Sequence, residues 1–160
     1  MNAGNKNFRN RKPQRASWWD YSNSGTYFIT INCKDRCHYF GNIKNQEMHH
    51  SKQGIIALLC MEKLHLHYCH IEIGCFVIMP DHVHAIIIIH NQKDELVSNE
   101  NKATLSSIVG NFKSAVSRYC NRLNLEFAWQ RSFHDSIIKN TEAYCAVERY
   151  IQNNPLKWNS

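Results

Sequence analysis

At 160 residues the chain is long enough for one hydrophobic core and too short for two full domains. No apolar run approaches the ~20 residues needed to cross a bilayer, and Met1 to Lys6 lacks the apolar centre of a signal peptide, so a cytoplasmic protein with no membrane partner is expected. The formal charge of +6 is concentrated: five units come from Lys6, Arg9, Arg11, Lys12 and Arg15, ahead of the first acidic residue, Asp20, and the remainder is nearly balanced at 14 basic against 13 acidic side chains.

Residues 1–17 are polar, basic and patternless, which predicts a flexible arm that orders on a polyanion; residues 18–160 then form a single domain. Trp18, Trp19 and Tyr21 follow the arm, where aromatics either stack on unpaired bases or, more commonly, pack over a domain's rim. Tyr27 to Cys33 is rich in β-branched and aromatic residues and predicts the first strand. The seven cysteines are odd in number, scattered and without a Cys-x-x-Cys, so they are expected as reduced, small apolar residues; Cys33 and Cys37 lack the second pair that a zinc site needs.

Ser51 to about His67 has Ile55, Leu58, Leu59, Glu62 and Leu66 at helical spacing and predicts an amphipathic helix. Its His65 and His67 point about 200° apart on a helix and make no chelate. Glu72 to Met79 predicts a strand that turns tightly at Pro80-Asp81 into a second strand through Ile89. Asn91 to Lys102 is polar and aperiodic and predicts a flexible connection. A second helix is expected from about Thr104 to Leu123, with Leu105, Ile108, Val109, Phe112, Val116 and Leu123 buried and Arg118 and Arg122 sharing an exposed face. Phe133 to Lys139 predicts a fourth strand, and Asn140-Thr141 caps a last helix that ends near Asn154, before Pro155. The order β-α-β-β-α-β plus a terminal helix is the split βαβ, ferredoxin-like layout of an α+β protein: a four-stranded antiparallel sheet with helices on one face.

The chemistry centres on the strand after Asp81. Alternation puts His82 and His84 on one face of a strand that is apolar on both sides, a costly place for imidazoles without partners. They form either a hydrogen-bonded pair or half of a metal site, and the turn before them sets both at the strand's mouth, where a ligand reaches. On the last helix Tyr150 and Asn154 are four apart and share a side, while Tyr144, Val147 and Ile151 form the packed stripe. Over the histidine pair they would add a metal ligand and an oxygen nucleophile; alone they are also what a surface tyrosine and a helix-ending asparagine look like.

The motifs Trp19-Asp20-Tyr21-Ser22, Tyr27-Phe28-Ile29-Thr30, MPDHVHAIIII from Met79, NFKSAV from Asn111, FAWQRSFHDSIIKN from Phe127 and ERYIQNNPLKW from Glu148 occur in one order over about residues 18–158. Together they resemble the REP-associated tyrosine transposases, of the single-tyrosine His-hydrophobic-His transposase group of bacterial insertion sequences. The resemblance implies a bacterial, nucleoid-associated nuclease and strand transferase that acts on single-stranded or hairpin DNA through a covalent 5′-phosphotyrosine. By position, His82 and His84 match the metal-binding pair, Tyr150 the nucleophile and Asn154 the polar residue that helps hold the metal. The cofactor implied is Mg2+ or Mn2+, and the working unit is a monomer or a homodimer with the tyrosine helix acting in cis or in trans. Relatives commonly carry Asp-His-Ile-Ile where this chain has Asp135-Ser136-Ile137.

Two neutral imidazoles and an amide leave a divalent ion's charge uncompensated, which favours a phosphate oxygen as the next ligand. Arg11, Lys12 and Arg15 of the arm are expected DNA-backbone contacts, as are Lys113, Arg118, Arg122 and Arg131, which lie in the stretch Lys102 to Arg131 whose only acidic residue is Glu126. Rival functions are a non-catalytic, domesticated nucleic-acid-binding protein and a metallonuclease that uses water, with Tyr150 structural.

Overall fold

The computed structural model describes residues 24–90 and 103–158. The basic arm with Arg11, Lys12 and Arg15, the aromatics Trp18, Trp19 and Tyr21, and the expected connection 91–102 lie outside the described residues.

Four strands make one sheet: β1 (Gly25–Asn32), β4 (Ile71–Ile78), β5 (His82–Ile89) and β6 (His134–Ile138). Their order is β4-β5-β1-β6 and every neighbouring pair is antiparallel, the ferredoxin-like arrangement expected from the element order. β1 and β5 are the central pair, in the register Thr30 opposite His84 and Asn32 opposite His82. Pleating therefore sorts the sheet into two faces. Tyr27, Ile29, Ile31, Val83, Ala85, Ile87 and Ile89 point to one side and join the main core with Ala57, Met61, Ile108, Val109, Phe112 and Val116. Phe28, Thr30, His82, His84 and Ile86 point to the other.

Two helices cover the core face, α1 (Lys52–Glu62) and α2 (Leu105–Arg122). Ser51 caps α1 by accepting from the Gly54 N–H at 3.1 Å, and Thr104 caps α2 by accepting from the Ser107 N–H at 3.2 Å. The third helix, α3 (Thr141–Gln152), lies on the opposite face against β4 and β5, with Asn140 as its cap. That placement leaves the β1–β6 half of the same face open among the described residues: Phe28 and Thr30 are half-buried, and His134 and Ser136 are exposed.

Several expectations need correction. Ile55, Leu59 and Leu66 do not form the buried stripe of α1 but are exposed, at 48, 45 and 69%. The stripe is Gly54, Ala57, Met61 and Leu64, because small residues let the helix seat close to its neighbours. Gly54 lies so tightly under the Phe40 carbonyl that a side chain would collide with it. The α-helix also stops at Glu62, and Leu64–His67 continue as a 3-10 turn. Buried Met61 and Leu64 are three apart, a spacing that three residues per turn keeps on one side. In α2 the last buried place belongs to Cys120 rather than Leu123, which lies at the helix end and is 60% exposed.

An element with no counterpart in the expectation is the hairpin of β2 (Gly41–Lys44) and β3 (Glu47–His50). Its two turn residues, Asn45 and Gln46, both have positive φ, 51° and 65°, the geometry of a type I′ turn. Asn-Gln is a weak signal for that turn, since glycine is the usual second residue.

Candidate active site

The turn between β4 and β5 is fastened from outside. The Cys33 N–H donates to the Asp81 carbonyl at 2.8 Å and the Phe40 N–H to the Pro80 carbonyl at 3.0 Å, which fixes where β5 begins. Asp81, His82 and His84 follow, each buried to within 5%.

Each imidazole has its Nδ1 on a protein partner. His82 Nδ1 donates to Asp81 Oδ1 at 2.6 Å, and His84 Nδ1 lies 2.9 Å from Thr30 Oγ1. With both protons on Nδ1 the two Nε2 lone pairs are left for a ligand, the tautomer a metal needs. The rings are 4.5 Å apart between centroids. Burial first, and then neighbouring His82, push the His84 pKa down to about 3, so His84 is neutral at physiological pH. Burial works against the Asp81 carboxylate, but its hydrogen bond to His82 and the charges of His82 and Arg36 outweigh that and hold its pKa below the ordinary value.

Helix α3 delivers the phenol. Ile151 is its buried anchor, and Tyr150, next to it, stays 45% exposed with its hydroxyl 3.4 Å from His84 Nε2. Phe28 props both groups, 5.1 Å from the His84 ring and edge-on to Tyr150 at 6.0 Å. The close seat of α3 depends on Gly74, at a register shift in β4, where an added Cβ would meet Tyr144 Oη at 3.0 Å and Ile86 Cβ at 3.2 Å. One chain therefore brings Tyr150 to the histidine pair.

Asn154 lies one turn on, half-buried, with helical φ and ψ of −61° and −43° in spite of Pro155. Its amide forms no hydrogen bond among the described residues, which leaves its oxygen available. The donor set suits a divalent cation: two imidazoles oriented by second partners, with the Tyr150 phenol 3.4 Å from His84 and Asn154 one turn further along the chain. No group of three or more His, Cys, Asp or Glu side chains placed to hold a metal ion occurs among the described residues, so a metal here would complete its shell from Asn154, Tyr150 or a substrate.

The expected DNA contacts divide. Arg118 and Arg122 are exposed and flank the Tyr119 ring, their guanidinium carbons 5.5 and 6.0 Å from its centre. They ride on α2, across the sheet from Tyr150, and so do not join the site. Lys113 is engaged within the fold, its ammonium donating to the Gln130 and Arg131 carbonyls at 2.7 and 3.2 Å, with burial lowering its pKa. Arg131 is exposed on the segment Lys113 pins, beside the end of β1, where the Gln130 N–H donates to the Asn32 carbonyl.

Sequence reasoning passed over four neighbours of the site. Thr30 and Phe28 were detectable, because alternation on β1 sets them on the face of His84. Trp158, with its ring 5.9 Å from His82 and 5.6 Å from His38, had no periodic signal. Arg36, ion-paired to Asp81 at 2.7 Å, sits in an irregular turn that no pattern foretells.

No family model matches the chain. A Haemophilus influenzae protein of uncharacterised role is 33% identical over 167 residues, spanning 96% of this chain and 93% of that one. The Escherichia coli REP-associated tyrosine transposase is 24% identical over 137 residues, spanning 86% of this chain and 70% of its own length. A solved structure of a REP-associated tyrosine transposase bound to a REP hairpin has the same fold, with a TM-score of 0.63 at 23% identity over 89% of this chain and 74% of that one. The chain is similar in sequence to a REP-associated tyrosine transposase and shares the fold of one. Ser136 lies exposed opposite Phe28, on the face that holds His84.

Proposed function

We propose that this chain cleaves and rejoins single-stranded DNA carrying a hairpin, through a covalent bond between Tyr150 and the 5′ phosphate of the cut strand. The observation that carries the reading is the 3.4 Å approach of the Tyr150 hydroxyl to His84 Nε2, beside His82 and within one chain. A structural tyrosine has no need of an imidazole pair already set for a cation.

In this reaction Tyr150 Oη attacks the scissile phosphorus. The Oη–P bond forms, the P–O3′ bond breaks, and the 3′ oxygen leaves as a hydroxyl after taking a proton from water. Attack by a free 3′ hydroxyl reverses the sequence and joins the strands, with no external energy source because a phosphodiester is exchanged for a phosphodiester. His84 is too weak a base, at a pKa of about 3, to take the phenol's proton, which therefore leaves to solvent through the exposed side of Tyr150. A divalent cation, Mg2+ or Mn2+, held by His82, His84 and Asn154, would supply Lewis-acid polarisation of the phosphate and favour the phenolate. Nitrogen ligands tilt the preference toward Mn2+. Phe28 and the open β1–β6 shelf leave room for the strand, and Arg131, with the arm residues Arg11, Lys12 and Arg15, supplies backbone contacts. Arg118 and Arg122, on the far face, would meet only a distant part of a longer DNA.

The test is incubation of the full chain with end-labelled single-stranded hairpin DNA and Mn2+, read on a denaturing gel. The expected result is a protein-linked strand that disappears with Tyr150→Phe or with EDTA while binding persists. Cleavage that survives in Tyr150→Phe would point to water as the nucleophile, and binding without cleavage under any metal would point to a non-catalytic binder.

A further inference from the structure

We infer that Arg36 is a two-sided positioning residue: one edge of its guanidinium sets Asp81, and through it His82, while the other takes a phosphate of the DNA strand entering the site. This rests on the reading of the site as a DNA-cleaving centre.

The geometry divides the guanidinium cleanly. Arg36 Nε donates to Asp81 Oδ2 at 2.7 Å and Nη1 donates to Asn32 Oδ1 at 2.7 Å. Asp81 Oδ1 in turn accepts from His82 Nδ1, so Arg36, Asp81 and His82 form a single chain of contacts ending at a free Nε2. Among the described residues two of the five guanidinium N–H groups are used, and three remain. The Arg36 side chain is 55% exposed while Asp81 is 4% exposed, so the unused edge faces solvent at the mouth of the site.

The backbone is bent to achieve this. Asp35 and Arg36 have φ of 52° and 57°, two successive non-glycine residues in the left-handed region, which L side chains disfavour. A structural ion pair alone would not require the arginine to arrive on so strained a turn with half of it left in water. The shape and charge of that free edge suit a phosphodiester oxygen, for which arginine's planar fork is well matched. Because the same side chain braces the His82 carboxylate partner, backbone recognition and ligand orientation meet at one residue.

Two measurements on the full chain separate the roles. The first is binding of a single-stranded hairpin oligonucleotide in EDTA across a salt series; the second is calorimetric Mn2+ affinity without DNA. Arg36→Gln is expected to weaken DNA binding about tenfold and to lower the salt slope by about 0.7, the value of one single-strand phosphate contact, and to weaken Mn2+ binding about tenfold. Arg36→Lys keeps the charge but cannot grip Asp81 and Asn32 together, so it should retain the salt slope and still lose Mn2+ affinity. Unchanged Mn2+ affinity in both variants, or a wild-type salt slope in Arg36→Gln, would overturn the inference, as would loss of slope in a folded Arg36→Lys. A wild-type chain that binds neither DNA nor Mn2+ would instead sink the underlying reading, and this inference with it.

Discussion

His84 shows how the fold prepares one residue for its task. A histidine ordinarily titrates near 6.5, but burial and the neighbouring His82 keep this one neutral down to about pH 3. The consequence for stability has a definite sign. Between about pH 6.5 and 3 the unfolded chain takes up a proton at His84 that the folded chain refuses, so folding stability contributed here is full above 6.5 and is lost as pH falls through that window. Denaturant midpoints measured at pH 7 and pH 4 should therefore fall less steeply in His84→Gln than in the wild type; an equal fall in both would show that His84 titrates normally. Strand alternation made the shared face of His82 and His84 legible in the sequence and helical spacing set Tyr150 apart from the packed stripe of its helix, but the meeting of Tyr150 with the histidines was carried by the resemblance alone. Arg36 and Trp158 were not legible, since each lies in irregular backbone whose direction depends on the assembled fold.

Among the elements, α3 decides whether the site closes. Its amphipathic spacing was evident, as was the order of the four sheet strands, but its distance from the sheet was not. That distance is set by Gly74, which has no side chain where Tyr144 Oη comes to rest, at a register shift that strand periodicity does not reveal. Gly74→Val should push Tyr144 and α3 outward, cost about 1–3 kcal/mol in urea unfolding, and reduce DNA-adduct formation more than DNA binding. Adduct formation undiminished in a variant destabilised by that amount would mean that Tyr150 does not depend on the α3 seat. The stripe of α1 was misjudged for a related reason: hydrophobicity favours Ile55 and Leu59, whereas close packing selects Gly54 and Ala57. The β2–β3 hairpin escaped notice because its turn lacks glycine, though Asn45 and Gln46 both adopt the left-handed geometry.

At the scale of the molecule, the sheet keeps its two jobs on separate faces. One is filled by α1 and α2 and supplies the core; the other carries the imidazole pair, Phe28 and Thr30, with α3 over only part of it. No helix among the described residues is long and apolar enough to cross a membrane. In the proposed reading the strand lies along β1 and β6 and ends at Tyr150, which meets His84 within one chain. Whether a single chain is a complete cleavage centre is tested by mixing two inactive variants, Tyr150→Phe and His84→Ala, each folded and each incubated with hairpin DNA and Mn2+ alone and together. With the wild type forming a protein-linked strand, the equimolar mixture should form none, because neither chain holds both groups; recovery of the adduct in the mixture would contradict the account, placing the phenol of one copy at the imidazoles of another.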